Sequence, residues 1–263
     1  MRILFIGDIV GKPGRRALEG LLGKVISEHA VDFTIANGEN AAGGMGVTPA
    51  IGTEILNLGV DVLTSGNHVW AKKEILPFLD VERRLLRPSN YPEGVPGKGG
   101  GVFESVKGFK IGVLNLEGRV FMKNLDCPFR VAEREIEVLR GETKIIIVDF
   151  HAEATSEKMA MGWFLDGKVS MMVGTHTHIQ TSDEKILEEG TAYITDAGMT
   201  GPTTSVIGVR REVAIHRFLT QIPWKYDVAT EGIELQGVVV DVDSQTGKAS
   251  RIERIKTPLT GVS

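Results

Sequence analysis

Apolar runs of strand length recur along this chain, and each stops at polar residues able to bind a metal, move a proton or hold an anion. Ile3-Leu4-Phe5-Ile6-Gly7 ends at Asp8, and Val31 to Ala36 runs into Asn37-Gly38-Glu39-Asn40. Val60 to Ser65 reaches Gly66-Asn67-His68, and Lys144 to Phe150 reaches His151. Val169-Ser170-Met171-Met172-Val173 leads to Gly174-Thr175-His176-Thr177-His178. Short unbroken apolar runs of this kind read as strands covered on both faces. Helical spacing separates them. Arg15 to His29 carries Leu18, Leu21, Leu22, Val25 and Ile26, with the preceding Ile9 to Gly14 as a loop. Thr48-Pro49 is an N-cap followed by proline at the first helical position, opening a helix that Gly59 stops. Thr155 to Leu165 is a further helix. This alternation predicts an α/β fold, with a mostly parallel sheet and helices on both sides.

The middle is less regular. Lys72 to Leu79 reads as a short helix interrupted at Pro77, and Pro88 to Gly101 is a proline- and glycine-rich excursion. Gly101 to Val106 and Phe109 to Leu116 form a hairpin, followed by a helix over Phe129 to Leu139. Lys185 to Leu187 and Thr191 to Thr195 form another hairpin, followed by a loop over Asp196 to Gly208. Gly232 to Val242 and Lys248 to Ile255 form the last one. No repeat or linker divides the chain, so residues 1–263 are expected to be one domain. A net charge of −4 argues against a protein that coats long nucleic acid through bulk charge. The lone Cys127 excludes an intramolecular disulfide and fits a reducing, cytoplasmic setting. No segment is long enough to span a membrane, and the first apolar run is too short for a signal-peptide core.

At the carboxyl ends of the expected strands stand Asp8, Glu39, Asn40, Asn67, His68, His151, His176 and His178, including four of the six histidines. Open α/β sheets place their sites at that edge. Each residue has a plain structural role available. Asp8 can cap a helix, Glu39 can be a solvated carboxylate, Asn67 can occupy a turn, and His68 and His151 can be satisfied buried histidines. Together they make a binuclear metal site. In an extended backbone His176 and His178 would point the same way with Cα atoms about 7 Å apart. That spacing suits ligands to the two ions of a pair about 3.5–4 Å apart. Glu39 is the candidate bridge. Asp8, Asn40 and His178 would complete one ion, and Asn67, His151 and His176 the other. Such a pair lowers the pKa of a bridging water, supplying the attacking hydroxide, and stabilises both the attacking and leaving oxygens of a phosphate ester. Imidazole, carboxylate and amide oxygen suit iron, manganese or zinc. Glu153 can orient His151 or His176, or be a surface carboxylate. Lys12, Arg15 and Arg16 can help attract a phosphate but read rather as a solvated helix end, and Gly43-Gly44-Met45-Gly46 reads as a turn without phosphate-loop spacing.

In this order Asp8, Gly66-Asn67-His68, His151 and His176-Thr177-His178 resemble the calcineurin-like metallophosphoesterases, and more closely their bacterial YmdB-like subgroup. The stretches that carry the resemblance are Phe5-Ile6-Gly7-Asp8, Asn37-Gly38-Glu39-Asn40-Ala41, His151 to Lys158 and Thr195 to Gly201. It spans nearly the whole chain. The broad superfamily begins Asp-x-His, whereas this chain has Asp8-Ile9-Val10, and it has Gly38-Glu39-Asn40 where an aspartate is usual. The subgroup shares both departures, with an oxygen donor in place of a nitrogen, which favours iron or manganese over zinc. The resemblance implies a metallophosphoesterase-type α/β sandwich with mixed sheets, helices on the outer faces and a site for two divalent or mixed-valence ions. It implies a phosphodiesterase acting on 2′,3′- and 3′,5′-cyclic nucleotides, with His68 donating a proton to the leaving alkoxide. It also implies a homo-oligomer. The rival readings are a phosphomonoesterase or nuclease on the same site, and a metal-containing regulatory protein that binds nucleotides with incidental turnover.

Overall fold

The structure, a computed structural model, describes residues 1–260, so the last three residues of the expected domain lie outside it. The chain opens with β1 (Arg2–Ile6), β2 (Asp8–Ile9), α1 (Gly11–Glu28), β3 (Phe33–Asn37), α2 (Pro49–Asn57), β4 (Val62–Thr64) and α3 (Ile75–Val81). A second group follows: β5 (Gly100–Glu104), β6 (Lys110–Glu117), α4 (Pro128–Arg140), β7 (Ile146–His151), α5 (Thr155–Leu165) and β8 (Met171–Thr175). After β9 (Lys185–Ile186) and β10 (Ala192–Ile194) the chain returns to its first sheet. That return uses β11 (Met199–Pro202), α6 (Arg211–Thr220), β12 (Ile233–Val242) and β13 (Ala249–Pro258).

The strands form two sheets rather than one. The first has the order β2-β11-β12-β1-β3-β4, with β13 also on β12, and the second β5-β6-β7-β8-β10-β9. Parallel pairs lie at the two ends of the first sheet, β1-β3-β4 and β2-β11, and run through the middle of the second as β6-β7-β8-β10. Antiparallel strands complete them. Alternation inside each buried strand explains the layering. Ile3 and Phe5 of β1 meet Ile147 of β7 and Met171 and Val173 of β8 in a core between the sheets. Leu4 and Ile6 point the other way, onto α1. Leu114, Leu116, Ile146, Val148 and Phe150 pack outward against α4 and α5. Helices therefore cover only the outer face of each sheet, in the order α/β/β/α. The expected sheet with helices on both sides is corrected in this respect, and the sandwich is the one found.

Local departures have identifiable causes. Helix α1 begins at Gly11, not Arg15, because Pro13 sits in the first turn where its missing N–H has no partner to lose. Pro77 likewise lies in the first turn of α3, so the helix runs Ile75–Val81 and is not interrupted. The expected loop Asp196 to Gly208 contains β11, which pairs parallel with β2 and antiparallel with β12. Its sequence, Met199-Thr200-Gly201-Pro202, has no alternation to betray a strand. Thr48 accepts from the Ile51 N–H at 3.3 Å, capping α2 as expected. Among the described residues no helix is long and apolar enough to cross a membrane.

Gly174, near the end of β8, has no room for a side chain. A Cβ there would run into the Thr195 carbonyl, with the Lys158 Cδ 2.9 Å away. Gly174→Ala is expected to destabilise the protein by about 1–3 kcal/mol, the usual penalty of overpacking. Urea unfolding would show it as a lower midpoint at constant slope.

Candidate metal centre

Two sheets deliver one cluster. The first sheet contributes Asp8 on β2, Glu39 and Asn40 after β3, and Asn67 and His68 after β4. The second contributes His151 at the end of β7, and His176 and His178 just beyond β8. All eight residues predicted from the sequence meet at this seam. Asp8, Glu39, Asn40 and His151 are almost wholly buried, whereas His68 and His176 keep a solvent-facing edge.

Four atoms converge on one point. His151 Nε2 lies 3.1 Å from Glu39 Oε1, 3.0 Å from Asn67 Oδ1 and 3.0 Å from His176 Nδ1. Glu39, His151 and His176 present ligand atoms within 4.8 Å of one another, a group able to hold a metal ion. A second set adjoins it. His178 Nε2 is 3.1 Å from Asn40 Nδ2 and 3.8 Å from Asp8 Oδ1, and Asn40 Nδ2 donates to Glu39 Oε1 at 3.1 Å. Asp8 Oδ1 is buried with no hydrogen-bond partner. Its other oxygen accepts from the His176 N–H at 3.1 Å. Gly66 keeps the space open, since a Cβ there would collide with His151 Nε2 and a Glu39 carboxylate oxygen.

The outward nitrogens show how the rings are set. Thr175 Oγ1 gives its proton to Asp149 Oδ1 at 2.7 Å, so at 2.9 Å from His151 Nδ1 it can only accept. His178 Nδ1 donates to the Ile207 carbonyl at 2.9 Å, and His176 Nε2 faces Glu153 Oε2 at 3.1 Å. Each histidine thus ties its outer nitrogen to an acceptor and turns the other into the cluster. Metal-binding histidines are held in this way.

The charges are strained by burial. Burial works against the Glu39 carboxylate, but His151 and His68 hold it well below the usual range. Burial pushes the Asp8 carboxyl up, against the pull of His178 and His151. Burial disfavours the His151 cation, yet Glu39, Asp8 and Asp149 lift this group to about 9. His176, desolvated and beside His151, drops to about 3. The proton on His151 therefore sits among inward-facing donors that a cation would also suit.

The His176-Thr177-His178 segment is not extended. His176 has φ 100° and His178 φ 64°, so both occupy left-handed backbone, uncommon for side-chain-bearing residues. This corrects the reading of an extended pair on one face. The turn is held by Asp196, whose Oδ2 accepts from Thr177 N and Oγ1 at 3.1 and 2.8 Å. Lys158 Nζ donates to the same oxygen at 2.7 Å, and both side chains are fully buried. Sequence reasoning gave no role to Lys158, Asp196, Asp149 or Thr175. A carboxylate inside Ile145-Ile146-Ile147-Val148-Asp149-Phe150 was the available signal for one of them. Glu153 meets His176 and not His151. Arg15 turns away from the cluster, to the Ala41 carbonyl at 2.7 Å and Glu54 at 3.1 Å.

A four-layer sandwich with carboxylate, amide and imidazole groups gathered at its strand ends defines a phosphoesterase of the metallophosphoesterase type. The chain belongs to the YmdB-like protein family, whose model matches residues 4–255. It is 51% identical over 255 residues to the 2′,3′-cyclic-nucleotide 2′-phosphodiesterase of Bacillus subtilis, covering 97% of this chain and 96% of that one. A crystal structure of a phosphatase from Mycoplasma pneumoniae superposes with a TM-score of 0.92 at 36% identity, covering 98% of this chain and 93% of that one. A hypothetical protein from Thermus thermophilus superposes with a TM-score of 0.91 at 40% identity, covering 98% and 99%.

Lys158→Met leaves the Asp196 carboxylate buried without its cation. Breaking a pair of this kind is expected to destabilise by about 3–5 kcal/mol. A double mutant that also carries Asp196→Asn should recover part of that loss, which denaturant titration of the single and double variants would measure.

Proposed function

We propose that the chain is a metal-dependent phosphodiesterase that hydrolyses 2′,3′- and 3′,5′-cyclic nucleotides, with residues 1–263 acting as one domain. One observation carries the metal assignment. His151, His176 and His178 each tie the outward nitrogen to an acceptor and turn the inward one onto the other donors of the cluster, beside an Asp8 Oδ1 that has no hydrogen-bond partner. The donor set fits two ions of the iron, manganese or zinc type. Glu39, with Asn67, His151 and His176 on one side and Asp8, Asn40 and His178 on the other, would hold them. Asn40 directs its amide nitrogen at His178 and its oxygen at His68, and a half-turn of the amide exchanges them. The name of the Bacillus subtilis relative supports the cyclic-nucleotide substrate.

When bound, two such ions activate water and neutralise charge on the phosphoryl oxygens. The protein supplies position and a proton. The His68 backbone N–H donates to Glu39 Oε2 at 3.2 Å, and Nδ1 is 2.9 Å from Asn40 Oδ1. The Glu39-Asn40 pair thereby fixes the ring beside the centre and leaves Nε2 available. In hydrolysis the oxygen of water bonds to phosphorus and one P–O(ribose) bond breaks. His68 gives its proton to the departing ribose oxygen and afterwards recovers one from solvent.

His68→Ala is expected to lower turnover of 2′,3′-cyclic nucleotides by about 10²–10⁴-fold while metal content stays at two equivalents per chain. Asp8→Asn should lower metal content itself. Elemental analysis alongside turnover of bis-p-nitrophenyl phosphate and cyclic nucleotides separates the two. A wild-type protein that takes up no metal under any loading condition would overturn the proposal.

His151 carries a proton up to about pH 9 in protein stripped of metal, and a ligand nitrogen must be free of it. Metal loading at pH 7 should therefore release close to one proton per chain from this residue. Apparent affinity should rise with pH and level off above about 9. Calorimetric titration with manganese in buffers of different ionisation heat would count the protons.

A further inference from the structure

A cavity of about 390 Å³ lies beside α6, lined among others by Ile207, Val209, Arg217, Phe218, Ile222 and Tyr226. Its volume falls in the range of small-molecule sites, which are apolar with a few placed polar groups. Two connections tie it to the metal centre. The Ile207 carbonyl in its wall is the group that holds His178 Nδ1, at 2.9 Å. The Tyr226 ring lies against Gly44, and a Cβ on that glycine would sit 3.0 Å from the ring. Gly44 in turn donates its N–H to the Asn40 carbonyl at 3.1 Å. The cavity thus adjoins the Asn40 and His178 side of the centre. Arg217 and Tyr226 line the cavity together, and the Arg217 charge opposes the upward push of burial on the Tyr226 hydroxyl.

We infer that this cavity is the nucleobase subsite of the centre, with Arg217 making it selective for guanine; the inference rests on the cyclic-nucleotide reading above. A phosphodiester at the metal ligands carries its ribose and base outward, and the adjoining apolar cavity is where a base leaves water. Tyr226 and Phe218 offer aromatic faces on which a base can stack. Arg217 offers a fork of N–H donors and no acceptor. The Hoogsteen edge of guanine presents two acceptors, O6 and N7, that match such a fork, whereas cytosine presents an amino donor at the corresponding edge. On that edge the donor–acceptor match favours guanine over cytosine. Phe218, on the exposed rim, closes over the base without taking part in the protein's core.

The test compares kcat/KM for 2′,3′-cyclic GMP and 2′,3′-cyclic CMP in the metal-loaded protein, its Arg217→Met variant and its Phe218→Ala variant. The wild-type ratio should favour guanine. Arg217→Met should cut that ratio about tenfold, the order of discrimination a bidentate contact gives, mainly through KM. Phe218→Ala should raise KM for both nucleotides. General damage to the fold lowers both substrates together and leaves the ratio where it was. Turnover of both nucleotides with a ratio near one, or a ratio that Arg217→Met does not move, would overturn the subsite and leave the phosphodiesterase reading standing. Cleavage of bis-p-nitrophenyl phosphate without cleavage of either nucleotide would overturn both. Equal losses for the two nucleotides together with a smaller sedimenting species would identify the cavity as a contact between copies of the chain, and so also overturn it.

Discussion

Everything at the sheet edge depends on keeping Asp8, Glu39 and His151 together away from water. Isolated ionised groups in so dry a position are strongly disfavoured, and they persist only when neighbours of opposite charge or a bound cation compensate them. The cluster supplies part of that compensation itself, through the short approach of His151 to Glu39. It leaves Asp8 Oδ1 without a hydrogen bond. The architecture around it serves this imbalance. Asp149 and Thr175 fix one ring, Glu153 another, and the Ile207 carbonyl the third. The buried Lys158–Asp196 pair holds the turn that carries two of them. Each of these supports is itself a hydrogen-bonded polar group, and three of them, Asp149, Lys158 and Asp196, are charged groups placed where an apolar residue would pack more simply. The order of the ligands is thus obtained from a chain of buried polar contacts, each needing the next.

Much of this was legible in the sequence because strand ends are. An apolar run that stops at a carboxylate or an imidazole announces both the strand and the residue it delivers. That logic located all eight members of the cluster. What that logic left out was of three kinds. The two-sheet layering came from the family resemblance, because reading it from residues requires knowing which of them face which core, and an unbroken run such as Ile145-Ile146-Ile147-Val148 hides its own alternation. The backbone of His176 and His178 is set by Asp196, which is distant in the chain, so no local pattern could show its left-handed turns. Strand β11 is held by partners on both sides and carries little propensity of its own.

The segment from residue 203 to 230 marks the other boundary of sequence reasoning. Its helix α6 has a weakly sorted surface, with Ile215, Phe218 and Leu219 exposed and only Ala214 buried among its residues. Amphipathic patterning reports which face meets the core, and a helix that barely meets the core reports little. Yet this segment reaches back to the centre through Ile207 and Tyr226. Rigid sheets position the ligands, and a more loosely attached wall stands over them.

The closing hairpin has a consequence for how the protein is made. Strand β1 is flanked by β3 on one side and by β12 on the other. As the ribosome delivers the chain, β1, β3 and β4 can pair early. The second edge of β1 then waits until residues beyond 233 have left the exit tunnel. Through most of synthesis the nascent chain therefore presents an apolar strand with unpaired N–H and carbonyl groups. Closure joins residues from opposite ends of the chain, a pairing whose loop entropy makes it slow. Strand β1 is thus completed by a strand made long after it, and until then its open edge is available to wrong partners.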